Sequence, residues 1–114
     1  MSKRMTRAAS IAGGYLPDAP LTSATTINVP PTTLIVELTG TATCTSLLAD
    51  DSARRRLQWF YQESGETTFT HTASPTTAGQ MRLNGGNITL RSDEFLLMYL
   101  KSDGTWRVVD YYPL

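Results

Sequence analysis

The sequence has one cysteine and one histidine in 114 residues. A single thiol leaves no internal disulfide framework. One cysteine with one histidine also excludes multi-cysteine zinc sites and most zinc hydrolase constellations. Charge is sparse, at 18% Asp, Glu, Lys and Arg, against roughly 25% in ordinary soluble domains. Ten basic residues balance ten acidic ones, so a uniformly basic coat for nucleic acid is excluded. Long apolar runs are missing too. The longest, Phe95 to Leu100, falls far short of the roughly 20 residues of a membrane helix. After Arg7 the chain is interrupted by Ser10, Gly13, Gly14 and Tyr15, which breaks any apolar segment of a secretory signal. The expectation is one soluble, cytoplasmically made domain with no cofactor, no metal and no catalytic constellation.

What is present is threonine, β-branched residues and aromatics in short runs divided by turn residues. Residues 1–25 carry Lys3, Arg4 and Arg7 against Asp18, and Gly13, Gly14, Pro17 and Pro20 punctuate them. They read as an extended basic arm, followed by a β domain over residues 26–114. Within the domain, Thr33 to Leu38 follows Pro30-Pro31, which fix an extended entry. Thr39 to Leu47 alternates small residues. Arg55 to Gln62 places Leu57, Trp59 and Tyr61 on one face, with Gln58, Phe60 and Gln62 on the other. Further strands are expected over Glu66 to Thr72, at Met81 and Leu83, at Ile88 and Leu90, and over Phe95 to Lys101 and Thr105 to Tyr111. Turns fall at Asn84-Gly85-Gly86-Asn87 and at Ser102-Asp103-Gly104. No window carries a 3.6-residue period. The fold class is all-β: short antiparallel strands in a compact β domain behind an extended N-terminal arm.

Two strands are apolar on both faces, at Trp59/Phe60 and at Leu96/Leu97/Met98. Such strands need cover on both sides, and a chain this short has difficulty supplying two cores. Subunits packed about a shared axis supply the second cover, so oligomerisation is expected.

The chemistry-bearing residues have structural readings. His71 lacks a nucleophile and an orienting carboxylate nearby in sequence, and reads as a hydrogen-bonded strand or turn residue in preference to the alternative, three copies around a metal on a trimer axis. Cys44 reads as a small buried side chain, since no helix N-terminus or positive cluster activates it. Asp50-Asp51 and Asp93-Glu94 fall where turns are expected and read as solvated turns, without calcium-loop spacing. Arg54, Arg55 and Arg56 form the one dense charge run, suited to subunit or partner contacts. Trp106, Tyr111 and Tyr112 are candidates for stacking on a sugar, or for plugging the core. Lys3, Arg4 and Arg7 are the residues best placed to dock on an acidic partner surface.

From Leu57 to Val109 the segments LQWFYQ, TTFTHTAS, MRLNGGNITL and DEFLLMYLKSDGTWRVV follow in an order that resembles a recurrent module of bacteriophage fibre and decoration proteins. The matching positions are Thr68 to His71, Leu83 to Thr89 and Leu97 to Val109. Three features depart from the module: the Arg54 to Arg56 run replaces a glycine, the last turn is longer, and the arm before residue 26 has no counterpart, so the attachment site is not carried over by the resemblance. The resemblance implies a β trimer attached to a virion by its N-terminal arm, in a capsid-decorating or head-fibre role, with capsid or tail proteins as partners. A tail-fibre or receptor- and glycan-binding tip is the alternative it carries. It also places Trp106 on the closing hairpin, with Val108 on its face and Arg107 and Val109 opposite. Trp106 is expected to be buried against Leu97 or Tyr99, with Gly85, Gly86, Asp103 and Gly104 forming the structural turns. Neither membrane nor nucleic-acid binding is expected.

Overall fold

The computed structural model describes residues 20–49 and 55–114. It is all-β over these residues, with no helix. The chain winds in stacked courses. The first course is β1 (Leu21–Thr22) and β2 (Thr26–Val29); the second is β3 (Ile35–Thr39), β4 (Thr41–Cys44) and β5 (Ser46–Ala49). The third is β6 (Arg56–Gln62) and β7 (Glu66–Phe69). Each course lies parallel on the one before: β1 on β3, β3 on β6, β2 on β5 and β4 on β7.

After β8 (Met81–Arg82) the direction reverses. β9 (Ile88–Arg91) runs antiparallel on β7, and β10 (Phe95–Leu100) antiparallel on β6. These two strands close the open end of the coil. β11 (Trp106–Tyr112) returns antiparallel along β10, with a bulge opposite Leu97/Met98, and β8 pairs parallel on its far side. The result is a six-stranded sheet, β1-β3-β6-β10-β11-β8, beside sheets of three and two strands.

The all-β reading therefore holds, and the antiparallel arrangement is corrected: five of the eight strand pairings among the described residues are parallel. Short corners redirect the chain to the next sheet before it can fold back as a hairpin, so strands meet their counterparts one course away. Among the described residues the first strand starts at Leu21, inside the segment assigned to the arm.

Glycine makes one corner possible. Gly40 and Gly65 both hold positive φ, 86° and 78°, a region closed to most L-residues. They lie one above the other. A Cβ on Gly65 would sit 2.3 Å from the Gly40 carbonyl oxygen. The same oxygen accepts the Glu66 amide and the Gln62 side-chain amide, so the corner is hydrogen-bonded between courses.

Alternation sorts the side chains. Val36, Leu38, Phe60, Leu96, Met98 and Leu100 turn inward from the six-stranded sheet and are buried. Gln58 and Gln62 share that inward face and are buried as well. Each is satisfied, as a buried amide must be. The Gln58 amide donates to the Leu34 and Trp59 carbonyls, and its oxygen accepts from Arg56. Gln62 accepts from the Thr67 hydroxyl at 2.7 Å.

Candidate functional site: the outer face of the six-stranded sheet

The opposite face of the six-stranded sheet has no cover among the described residues. Strand register places its side chains in three rows. Glu37, Tyr61, Phe95 and Tyr112 form the first, Ile35, Trp59, Leu97 and Asp110 the second, and Leu57, Tyr99 and Arg107 the third. Leu57 is 56% exposed and Tyr112 46%. A groove of about 340 Å³ runs between Ile35, Trp59, Phe95 and Tyr112.

The rings support one another. Trp59 meets Phe95 edge-on at 6.0 Å and Tyr112 at 5.7 Å, and Tyr61 lies 4.8 Å from Phe95. Such contacts fix ring orientation beyond what area burial provides. At one end of the face the Tyr61 hydroxyl donates to Asp93 at 2.5 Å. That hydrogen bond, with the negative charges of Asp93, Glu63 and Glu37, pushes the phenol up to about 12. Asp110 likewise raises the Tyr112 phenol by a hydrogen bond.

Most other chemistry-bearing residues have structural work. Trp106 is buried, with its indole N–H donating to the Leu47 carbonyl at 2.9 Å and its ring against Phe60. Its burial was expected. Its neighbours were not: Trp106 pairs with Leu100, so it faces inward, whereas Leu97 and Tyr99 point to the outer face. Asp103 accepts both the amide and the hydroxyl of Thr105, and Gly104 holds positive φ, together closing the β10–β11 turn. Gly85 takes positive φ in its turn, and a Cβ at Gly85 or Gly86 would meet open space.

Cys44 is buried, and burial pushes its thiol up to about 11 against the lowering effect of two backbone hydrogen bonds. His71 accepts the Leu83 amide on Nδ1 at 2.9 Å, while its own amide donates to Asn87. Asp93 occupies a left-handed turn position, as a turn residue should. Glu94 corrects the solvated-turn reading. It is buried and accepts from the Tyr111 hydroxyl and the Arg91 and Leu114 amides. Burial raises its pKa, and these hydrogen bonds with the charge of Arg91 outweigh it, leaving the carboxyl below its ordinary value.

Arg55 is exposed just before β6, and Arg56 reaches the Gln58 side chain and the Pro30 carbonyl. Lys3, Arg4, Arg7, Asp50, Asp51 and Arg54 lie outside the described residues. The Trp59 groove was not singled out from sequence as a site. Its signal was the alternation at Leu57, Trp59 and Tyr61 against Phe95, Leu97 and Tyr99, visible as apolar residues on both strand faces. No family model, curated protein or solved structure matches the chain.

Proposed function

We propose that this is a non-enzymatic structural protein of a bacteriophage particle, a homotrimeric capsid-decorating or head-fibre protein that docks through its N-terminal arm. The observation that carries the reading is the outer face of the six-stranded sheet, which no described residue covers. One face of that sheet fills the chain's own core, and the other offers Leu57, Trp59, Phe95 and Tyr112 to a neighbour. Self-assembly is the usual use of so apolar a patch. Among the groups a hydrolase would need, the thiol of Cys44 is held protonated in the core and Nδ1 of His71 is spent on the Leu83 amide. The phage setting and the number three come from the resemblance between Leu57 and Val109, and the docking role falls to Lys3, Arg4 and Arg7.

The glycan-binding tip is the second reading, and the same aromatic groove favours it, because Trp59 and Tyr112 form a ring platform. Two measurements separate the readings. Sedimentation at micromolar concentration is expected to give about 37 kDa, three times the 12.5 kDa chain, or a multiple of that mass. Removal of residues 1–19 is expected to leave assembly intact and abolish attachment to particles. A monomer that binds cells or sugar through Trp59 would establish the tip reading instead.

A further inference from the structure

The outer face is polarised along its strands. At the first-row end stand Glu37, Glu63 and Asp93, the three carboxylates whose charges act on Tyr61. At the third-row end stand Arg55 before β6, Lys101 after β10, and Arg107 with Arg82 beside it on β8. Among the described residues one acid, Asp103, lies at that end and is engaged by Thr105. Asp110 lies in the middle row. Between the ends are the apolar residues Ile35, Leu57, Trp59, Phe95 and Leu97. The groove itself is lined by Ile35, Trp59, Phe95 and Tyr112, without the several convergent polar groups that orient a small polar ligand. An apolar centre with a charged rim is the anatomy of a protein–protein contact.

The polarity selects the partner and its direction. We infer that the face is covered by a second copy of this chain packed face to face with its strands antiparallel, so that the acidic end of each copy lies over the basic end of the other. A twofold axis in the contact plane and perpendicular to the strands exchanges the first and third rows. Glu63 then opposes Arg55 of the second copy, and Asp93 opposes Lys101. Tyr61 lies over Leu57, and Phe95 over Tyr99. Turning the second copy the other way sets carboxylates against carboxylates and cations against cations, which costs affinity. A face-to-face twofold contact is self-complementary, as isologous interfaces must be. The inference rests on the reading of a self-assembling protein, but not on the number three. The pair occupies the face on which the trimer reading leans, so an assembly satisfying both holds six copies as three such pairs with the trimer contact made by other surfaces, whereas the pair alone holds two.

The test uses the full chain and exchanges charge at two exposed positions. Arg55→Glu and Glu63→Arg are each expected to weaken self-association by about tenfold or more at low salt. The double exchange Arg55→Glu/Glu63→Arg is expected to restore it, since each new charge again meets its opposite. Disulfide trapping reads the direction. A mixture of Arg55→Cys and Glu63→Cys proteins is expected to cross-link, while neither protein cross-links with itself. Self-cross-linking of Glu63→Cys would show co-directional strands and overturn the inference while leaving the trimer standing. Assembly unaffected by every exchange, or a wild-type monomer, would also overturn it. A wild-type mass of about 25 kDa, twice the chain mass, would uphold the pair and refute the trimer.

Discussion

Trp106 ties the last hairpin to the coil beneath it, so its truncation is expected to unfold the domain. The side chain is fully buried, packs against Phe60 at 6.2 Å, and reaches across to β5 through the Leu47 carbonyl. Trp106→Ala removes the largest fully buried side chain, and such truncations cost about 3–5 kcal/mol. It also strands the Leu47 carbonyl, a penalty of about 1–3 kcal/mol. The total is about 4–8 kcal/mol, comparable with the whole stability of a domain in the lower part of the usual 5–15 kcal/mol range. Trp106→Phe keeps a ring and loses the indole donor, and is expected to cost about 1–3 kcal/mol. Urea unfolding followed by far-ultraviolet circular dichroism reads both. If Trp106→Ala unfolds within about 0.5 kcal/mol of wild type, as an exposed binding residue would, the packing account of this hairpin is refuted.

Gly65→Ala is expected to destabilise by at least about 2 kcal/mol, because the new Cβ meets the Gly40 carbonyl oxygen and the residue must hold positive φ; an unchanged melting temperature would contradict the stacked corner. Glu94 has a lowered pKa in the folded chain, so its contribution is present above the ordinary carboxylate range and is lost as pH falls through the lowered value. Glu94→Gln is therefore expected to flatten the acid limb of a stability–pH curve. Cys44, held up to about 11 by burial, is expected to resist iodoacetamide at neutral pH until urea unfolds the chain, as mass spectrometry would show.

The strands and turns were legible in the sequence because local chemistry sets them. Alternation at Leu57 to Gln62 and Phe95 to Leu100, and turn residues at Asp103-Gly104, survive into the fold almost unchanged. Inward and outward faces were legible as a division, but not which face would be buried. Gln58 and Gln62 lie inside, where amide partners from Leu34, Gly40 and Ser64 await them, and Leu57 and Trp59 lie outside. The parallel coil was obscured because its courses repeat at unequal spacing. Leu21 lies opposite Leu38, Ile35 opposite Trp59, and Thr41 opposite Glu66. The signal was a Leu-Thr-Ser/Gly corner at Leu21-Thr22-Ser23 and again at Leu38-Thr39-Gly40, the first followed by Thr25-Thr26 and the second by alternating threonines. The candidate site was half legible: doubly apolar strands announce an uncovered face, while its charge polarity needs Glu37, Asp93, Lys101 and Arg107 brought together from four separate segments.

The claim that this face exists to meet another copy is tested most directly by sedimentation velocity on the full chain and on Leu57→Arg. Leu57 is more than half exposed, so the substitution is expected to leave the circular dichroism spectrum and the melting profile of the isolated subunit intact. The account predicts that wild type sediments as a multiple of the 12.5 kDa chain and that Leu57→Arg loses every contact made through this face, sedimenting as the single chain if the pair stands alone and as a trimer if six copies assemble. Wild-type protein that is monomeric at micromolar concentration with a native β spectrum, or an assembly that Leu57→Arg does not disturb, would contradict it.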